Sequence, residues 1–281
     1  MVNFNGKLLQ DNVDFLNANN RAVQYGDGLF ETIRVVHGKV FFWEEHYFRL
    51  MSSMRILRME IPMDFTMEFL ESSILDTIES SGLTERPAKA KLLVFRKPGG
   101  LYRPAQNEID YVITVGGLES PFYTLSEEAY EVELFKDYYL NADMLSNLKT
   151  TNKILNVVAS VFAKENGYHN CLLLNAKKQV VETTNGNLFL VKGKTIKTPP
   201  LSDGCLNGIV RKELLAILES LEGMEVMVDS ISPFELQKAD ELFVTNTVSG
   251  IIPITKYRKK TFGAQTSKNL IGKLNARARL G

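Results

Sequence analysis

The chain has 281 residues, of which 44% are hydrophobic and 23% are charged, and these values exclude a disordered, collagen-like or coiled-coil protein. Its 33 lysines and arginines balance its 33 aspartates and glutamates, so we expect neither nucleic acid nor an anionic membrane as a partner. Two cysteines and three histidines are too few for a disulfide framework and a poor set of metal ligands, so we expect no metal site and a cytoplasmic location.

The first half of the chain predicts strands and two amphipathic helices. Residues 1–17 have no cationic start with an apolar core, and no apolar run reaches about 18 residues, so we expect neither export nor a membrane span. The β-branched and aromatic residues of 29–36 and 40–43, joined by His37-Gly38-Lys39, predict a hairpin. Apolar residues at helical spacing predict two helices, one through Tyr47, Leu50, Met51, Met54 and Leu57 and one through Met67, Leu70, Ile74 and Ile78. Further strands are expected at 88–96 and 109–115.

Residues 116–121, GGLESP, predict the least regular stretch in the middle of the chain. We therefore expect an N-terminal domain of residues 1–117 and a C-terminal domain of residues 118–281. The second half predicts a helix from Ile154 to near Gly167, strands at 171–175, 179–183, 187–191 and 241–246, and helices at 208–221 and 265–279. Ser232-Pro233-Phe234-Glu235 has the form of a helix-starting capping box. The fold class is α+β.

Four features could carry chemistry, and each also has an ordinary explanation. Lys149 precedes an apolar helix, where most lysines are solvated surface charges. Arg49 could be an exposed helix residue, and Glu182 could be a carboxylate at a strand end. The loop-to-helix segment 205–211 could be only a helix start, although the exposed N–H groups at such a glycine-containing start suit a phosphate.

The order of these residues resembles the class IV, or fold-type IV, pyridoxal-phosphate-dependent aminotransferase family. The family signature has glutamate, a small residue two positions later, asparagine three further on, and then an aliphatic and an aromatic residue. Its second part has an aliphatic-x-Thr step followed by aliphatic-x-Gly-aliphatic-x-Arg. The chain matches both parts at Glu182, Thr184, Asn187, Leu188, Phe189, Ile196, Thr198, Leu206, Gly208, Ile209 and Arg211. The resemblance also includes YGDGLFETIR at 25–34, His46 to Leu50, the lysine of LKTTN, and 245–254.

This resemblance implies that pyridoxal 5′-phosphate is the cofactor and assigns residues to it. Lys149 resembles the lysine that forms the Schiff base and then acts as general base, with Lys153 as its rival one helical turn later. Glu182 resembles the carboxylate that keeps the pyridine nitrogen protonated. The implied phosphate cup and the remaining cofactor contacts are Arg49, Asn187, Gly208, Ile209, Val210, Thr247 and Val248, the last standing where some relatives carry a hydroxyl.

The resemblance also implies a small α/β N-terminal domain, a larger pseudo-barrel C-terminal domain, a cofactor cleft between them, and a homodimer. Tyr25, Phe30, Arg96 and Tyr102 belong to segments that line the substrate side of this cleft in relatives. For Phe30, packing in the core is an equally good interpretation.

Three reactions of the family remain open from the sequence. Branched-chain transaminases generally carry a tyrosine five residues after the lysine, and Ile154 in this chain counts against that reaction. D-amino-acid transaminases carry an Arg-x-His motif that binds the substrate carboxylate. The corresponding stretch here is Phe95-Arg96-Lys97-Pro98, which counts against that reaction too. We place an aminotransferase acting on an amino acid and a 2-oxo acid first. The alternative is 4-amino-4-deoxychorismate lyase, which releases pyruvate and 4-aminobenzoate. A non-catalytic binding protein of the same fold would require a missing functional residue, and Lys149, Glu182 and Arg49 are all present.

Overall fold

The protein divides into two compact units in a computed structural model that describes residues 1–280. The first unit contains Met1–Pro121 and the short segment Lys149–Asn152. The second contains Phe122–Leu148 and the described chain from Lys153 onward. The domains expected from the sequence, 1–117 and 118–281, stay a prediction.

The first unit is built on a six-stranded sheet with strand order β2-β1-β6-β5-β3-β4. Its elements are β1 (Val2–Phe4), β2 (Lys7–Leu9), α1 (Arg21–Tyr25), β3 (Gly28–Val36), β4 (Lys39–Val40), α2 (Trp43–Ile56), α3 (Met67–Ser80), β5 (Ala88–Arg96) and β6 (Ile109–Gly117). The central strands β3, β5 and β6 are antiparallel along most of their length. The helices α2 and α3, the hairpin turn and these strands confirm the elements predicted for this half.

One face of this sheet is covered by α2 and α3. Alternate residues of β3 point to it, including Leu29 and Ile33, and both are almost fully buried. The α3 residue Phe69 packs edge-on against Tyr111 of β6 on the same face. The opposite face has its own apolar cluster around Phe95. The side chains of β3 therefore extend from a sheet that is packed on both faces.

Two predictions in this unit are wrong in detail. The strand expected at 40–43 ends early, because Phe42 has a φ of 54° and Trp43 is already the first residue of α2. The irregular stretch expected from Gly116 begins later, because Gly116 and Gly117 still pair with Lys89 and Ala88 of β5. In both places the periodic packing of a longer element outweighs the local preference of the residues.

The second unit is built on a curled ten-stranded sheet that branches at one strand. Its elements are β7 (Glu131–Leu134), α4 (Ile154–Glu165), β8 (Asn170–Leu174), β9 (Val180–Thr183), β10 (Asn187–Lys192), β11 (Thr195–Thr198), a 3-10 turn (Leu201–Asp203), α5 (Ile209–Glu219), β12 (Glu225–Val228), α6 (Pro233–Leu236), β13 (Glu241–Asn246), β14 (Gly250–Ile254), β15 (Lys256–Tyr257), β16 (Lys260–Thr261) and α7 (Gln265–Leu280). The main path runs β12-β11-β10-β9-β8-β7-β15-β16, and β13 pairs with both β10 and β14.

The core of this unit lies on both sides of the central strands. Leu188 and Val244 are among the buried residues of the larger cluster, and Ala159 and Ala163 of α4 pack with Cys171 in a second one. The capping box predicted at Ser232 is confirmed: its side chain accepts from Phe234 N, and Ser232 N donates to Glu235. Within residues 1–280, no helix is both long and apolar enough to cross a membrane.

Candidate active site

Lys149 is held on the first unit by its backbone. Phe30 N donates to Lys149 O at 2.9 Å, and Thr151 N donates to Gly28 O at 2.9 Å, which gives a short antiparallel bridge beside β3. The side chains of Thr151 and Asn152 both donate to Gly26 O, at 2.7 and 2.8 Å. Gly26 has a φ of 63°, and a Cβ there would overlap the Asn152 amide. The lysine therefore begins from a fixed backbone position.

The Lys149 ammonium lies over the ring of Phe30, with Nζ 4.4 Å from the ring centroid. Lys91 Nζ lies 4.8 Å from the same centroid. Phe30 is only partly buried, whereas Leu29 and Glu31 on either side are buried. Phe30 thus points to the lysine side of the strand and not into the core beneath α2.

Arg49 is anchored by a buried carboxylate on the other face of β3. Its Nε donates to Glu31 Oε1 at 2.8 Å, and its Nη2 donates to Glu31 Oε2. Glu31 is also paired with His46, whose Nδ1 lies 2.6 Å from Oε2. His46 Nε2 is buried and has no hydrogen-bond partner among the described residues. Glu31 and His46 thereby fix the guanidinium of Arg49 in one orientation.

The charges in this trio follow from its burial. Burial alone would raise the pKa of Glu31, but the charge of Arg49 and the hydrogen bond with His46 outweigh it and lower that pKa to about 2. Burial lowers the pKa of His46, and the partnership with Glu31 offsets this only in part. The site at neutral pH is therefore a glutamate anion paired with an arginine cation, beside a neutral imidazole.

Arg96, predicted on the substrate side, is engaged in a buried cluster. Its Nε donates to Asp27 at 3.0 Å, Nη1 to Arg58 O and the Asn107 side chain, and Nη2 to Leu57 O at 2.7 Å. Its residue exposure is 6%. Four of its five N–H groups are used, so the geometry favours a structural role over substrate contact.

Tyr25 and Tyr102 of the first unit lie together. Their ring centroids are 5.8 Å apart, and the Arg21 guanidinium lies over the Tyr25 ring. Arg21 also donates to Asp27 and, through Nη1, to Leu101 O at 2.7 Å. Tyr102 is 91% exposed although the backbone beside it is held. Its ring therefore projects into solvent from a fixed backbone.

Glu182 in the second unit is a buried carboxylate with a directed hydrogen-bond network. Its Oε2 accepts from Leu206 N at 2.9 Å and lies 3.4 Å from Asn187 Nδ2. Asn187 Nδ2 also donates to Leu206 O at 2.9 Å. Glu182 and Asn187 are 7% and 4% exposed and face each other across the β9–β10 pair. The network orients the Glu182 carboxylate. Because this carboxylate is buried, its negative charge requires hydrogen-bond donors or a cation beside it.

The N-terminus of α5 begins beside the same asparagine. Gly208 is the N-cap residue, and among the described side chains none caps this end of the helix. A Cβ on Gly208 would overlap Asn187 Oδ1. Ile209 and Val210 are buried, so the first N–H groups of an 11-residue helix are presented without a side chain competing for them. Such a terminus binds phosphate well.

Thr247 and Val248 lie in the turn between β13 and β14. The Asn246 side chain accepts from Val248 N at 3.0 Å and from Ser249 N at 2.8 Å, which closes the turn. The Tyr123 hydroxyl donates to Thr247 O at 3.0 Å. These contacts fix the backbone of the two residues predicted to complete a phosphate cup.

The rival lysine, Lys153, lies in the second unit, at the start of α4. Burial lowers its pKa, and the charge of Glu182 raises it in part. Lys149 and Arg49 are in the first unit, so the alternative lysines are distributed over the two units.

The donor set fits pyridoxal phosphate. The chain has an amine on a fixed backbone, an arginine already oriented by a carboxylate, a buried carboxylate suited to a pyridinium nitrogen, and an uncapped helix N-terminus suited to a phosphate. Over the described part of the chain, no group of three or more histidine, cysteine, aspartate or glutamate side chains is arranged to hold a metal ion.

Comparison with known proteins identifies the family. The model of the family described as amino-transferase class IV matches residues 28–257. The chain belongs to the class IV aminotransferases. A provisionally named branched-chain-amino-acid aminotransferase of Methanocaldococcus jannaschii is 31% identical over 255 residues, which cover 90% of this chain and 86% of the relative. The aminodeoxychorismate lyase of Vibrio harveyi is 29% identical over 238 residues, 84% of each chain.

A solved structure supports the same class IV assignment. The branched-chain aminotransferase of Thermoproteus uzoniensis, determined with norvaline, has a TM-score of 0.86 and 26% identity, covering 98% of this chain and 93% of that chain. The predicted α+β, fold-type IV architecture is therefore confirmed, with a small N-terminal α/β part and a larger C-terminal part of pseudo-barrel type. Class IV aminotransferases use pyridoxal phosphate, and another similar branched-chain aminotransferase was determined with pyridoxamine 5′-phosphate.

Several supporting residues of this class IV site were missed at the level of sequence. Glu31 lies within residues 25–34, yet a lone glutamate in a strand gives no signal until α2 places Arg49 beside it. Asp27 accepts hydrogen bonds from Arg21, six residues earlier, and from Arg96, 69 residues later, and Leu206 acts through its backbone N–H.

Proposed function

We propose that this class IV protein is a pyridoxal-phosphate-dependent aminotransferase that moves an amino group between an amino acid and a 2-oxo acid. The single observation that carries the proposal is the buried Glu182 carboxylate, fixed by Leu206 N and Asn187 beside the uncapped N-terminus of α5. A carboxylate at one side and free helix N–H groups at the other match the two polar ends of the cofactor.

Bound pyridoxal phosphate would supply an electron sink for the carbanion formed when a substrate loses its Cα proton. Lys149 would hold the cofactor through its amine, and the same amine would move the proton at the substrate Cα. Its fixed backbone limits the positions that Nζ can reach, which supports a proton transfer of defined direction.

Glu182 would keep the pyridine nitrogen of the cofactor protonated, because a buried anion stabilises a neighbouring cation. Arg49 and the N–H groups at Ile209 and Val210 would hold the phosphate at the Gly208 N-cap, whose own N–H donates to Leu206 O, with the Thr247 and Val248 turn as a further contact. Glu31 supports this role of Arg49 because it orients the guanidinium without occupying all of its N–H groups.

Tyr25, Phe30 and Tyr102 are the proposed substrate-side residues. The support for Phe30 is that the Lys149 ammonium lies on its ring, and the support for Tyr102 is that its exposed ring rests beside Tyr25. Arg96 is proposed to act through Asp27 on the segment that carries Tyr102.

The second candidate function is 4-amino-4-deoxychorismate lyase. Two observations favour it: the Vibrio harveyi lyase is similar over 84% of this chain, and Ile154 stands in place of the tyrosine typical of branched-chain transaminases. Both reactions require Lys149, Glu182 and Arg49, so these residues do not separate them. A non-catalytic role is disfavoured because all three are present.

The deciding experiment follows the visible absorbance of the cofactor-loaded protein during a single half-reaction. A transaminase keeps the substrate amino group on the cofactor, so at least one member of a panel of L- and D-amino acids should bleach the visible band without a keto-acid acceptor. Adding 2-oxoglutarate or pyruvate should restore the band. If no amino acid bleaches it while aminodeoxychorismate yields pyruvate and 4-aminobenzoate over many turnovers, the lyase is the function.

We also propose that the protein is a cytoplasmic homodimer. The support for an assembly is that α4 is apolar on its outer side, where Ile154, Val157 and Val161 are 73%, 55% and 50% exposed. Its two cysteines are buried free thiols, in keeping with a reducing compartment. Sedimentation equilibrium should give twice the 31.7 kDa chain mass, and a monomer at micromolar concentration would refute the dimer.

A further inference from the structure

Two cofactor contacts of the second unit are joined through one side chain. Asn187 Nδ2 donates to Leu206 O at 2.9 Å and lies 3.4 Å from Glu182 Oε2. Asn187 Oδ1 occupies the space next to the Gly208 Cα, where a Cβ would overlap it. The amide thus touches the carboxylate proposed for the ring nitrogen and the helix start proposed for the phosphate.

The segment between those two contacts is short and held at both ends. Leu206 N donates to Glu182 Oε2 at 2.9 Å, while Leu206 O accepts from both Asn187 Nδ2 and Gly208 N, the latter at 2.8 Å. One residue therefore carries hydrogen bonds to the carboxylate, to the asparagine and to the N-cap. A displacement of the helix start would therefore reach Glu182 through the short backbone segment from Leu206 to Gly208.

Gly208 is required here for space and not for backbone freedom. Its φ of −74° and ψ of 137° are open to any residue. The Asn187 amide is the nearest group to its hypothetical Cβ, so a side chain at the N-cap would collide with the asparagine. A hydroxyl or carboxylate cap at this position would compete with a phosphate for the first N–H groups of α5.

We propose that Asn187 is a positioning residue that couples the Glu182 carboxylate to the N-terminus of α5, so that the ring-nitrogen contact and the phosphate contact form together. The inference rests on the proposed cofactor. An amide suits the role because its N–H groups donate to an anion, whereas a carboxylate at 187 would place a like charge beside Glu182.

The coupling makes a reciprocal prediction that can be measured without turnover. Pyridoxamine 5′-phosphate is a suitable probe, because it lacks the aldehyde and binds without a covalent bond to lysine. Its affinity reports chiefly on the phosphate contact. The pH titration of its ring absorbance in the complex reports the proton on the ring nitrogen, which Glu182 stabilises.

The variants are Gly208→Ala, Asn187→Ala, the double variant, and Asn170→Ala as a matched control. Asn170 is a buried asparagine of the same sheet, 3% exposed, bonded to Tyr130 and Asn185. Gly208→Ala should weaken probe binding about tenfold or more and also lower the ring-nitrogen pKa, because the new methyl pushes Asn187 away from Glu182. Asn187→Ala should likewise change both readouts.

In the double variant the methyl has no amide to displace. Its probe affinity should fall within about threefold of that of Asn187→Ala, far from the product of the two single effects. Asn170→Ala should leave both readouts at the wild-type values, although its thermal midpoint falls. Circular dichroism of each apo variant checks that the fold is retained, and Asn187→Ser replaces Asn187→Ala if the latter does not fold.

The possible failures are distinguishable. If the wild-type protein does not bind the probe, the proposed function is wrong. The coupling is wrong while the function stands if the wild-type binds the probe but Gly208→Ala leaves the ring-nitrogen titration unchanged. The same holds if the single effects multiply in the double variant, or if Asn170→Ala moves both readouts as far as Asn187→Ala does.

Discussion

Phe30 and Lys149 are joined twice, by a hydrogen bond from Phe30 N to Lys149 O of 2.9 Å and by the lysine ammonium over the phenylalanine ring. The first contact fixes where the lysine starts, and the second fixes where its amine rests. A lysine held in this way has fewer positions to search than one on a free loop, which is a requirement for directed proton transfer.

Lys149 should be the residue that carries the cofactor. Borohydride reduction of the yellow, cofactor-loaded protein followed by peptide mapping should place the pyridoxyl group there, and Lys149→Ala should abolish turnover while retaining some cofactor through its phosphate. A label on Lys153 with Lys149 unmodified would reverse the assignment.

The Thr151 hydroxyl should contribute more to turnover than the Thr150 hydroxyl. Thr151→Val removes the 2.7 Å hydrogen bond to Gly26 O, a contact of about 1 kcal/mol, and should loosen the lysine backbone. We expect roughly a fivefold lower kcat with unchanged cofactor affinity. Thr150→Val is the matched control and should stay within twofold of wild type; equal losses in the two variants would show that the bond to Gly26 is not the cause.

The sequence was sufficient for elements with a strong period. The apolar spacing of α2, α3 and α4 and the long apolar strands β3, β5 and β13 were predicted within a few residues. Short strands such as β1, β12 and β15 were missed, because two to four residues carry too little periodicity to separate a strand from a loop. Pro253 also disfavours a strand, although β14 pairs with β13 around it.

The residues of the candidate site also divide into those that the sequence could predict and those that it could not. Lys149, Arg49 and Glu182 could be proposed because a family signature fixes their order. Their supports could not, because Glu31 and His46 meet Arg49 only when α2 packs on β3, and Asp27 meets Arg96 only across paired strands. Hydrogen bonds between distant residues leave no local pattern in a sequence.

Asp27 should be a major contributor to the stability of the first unit. Its Oδ2 accepts from both Arg21 and Arg96, at 2.8 and 3.0 Å, and both arginines are buried. Asp27→Asn leaves two buried cations without an anion, so we expect a loss of roughly 3 kcal/mol in the free energy of unfolding by urea. Asp110→Asn, on an exposed hydrogen bond to Asn5, should cost less than about 1 kcal/mol. Similar losses in both variants would contradict a special role for the cluster.

Glu31 should make stability depend on pH in the acid range. Its pKa is about 2 in the folded protein against 4.5 for the free side chain, so the folded state favours the ionised form. The resulting stabilisation is fully present above pH 4.5 and is lost as the pH falls from 4.5 toward 2. At about 1.4 kcal/mol for each unit between the two values, its full size is roughly 3 kcal/mol.

Glu31→Gln should reduce the dependence of the free energy of unfolding on pH in this acid range. Urea unfolding between pH 5 and the acid limit of reversibility should show a smaller fall in the free energy of unfolding than in the wild type. Glu44→Gln, an exposed glutamate of the same helix start as His46, should retain the wild-type slope. An unchanged slope in Glu31→Gln would mean that Arg49 does not hold the carboxylate in its ionised form.

Arg49 and Glu182 should fail in different ways when each is replaced by alanine. Arg49→Ala removes a charge-assisted phosphate contact worth about 1.5 to 3 kcal/mol, so cofactor affinity should fall roughly ten- to a hundredfold. Glu182→Ala leaves that anchor in place and removes the anion that keeps the ring nitrogen protonated, so turnover should fall while cofactor remains bound. Equilibrium dialysis separates the two effects from steady-state rates measured with saturating cofactor. Near-wild-type turnover in Glu182→Ala, or unchanged cofactor affinity in Arg49→Ala, would show that the roles are misplaced.

Because Glu31 holds Arg49 through two hydrogen bonds, Glu31→Gln should reduce cofactor affinity in the same direction as Arg49→Ala but by a smaller factor.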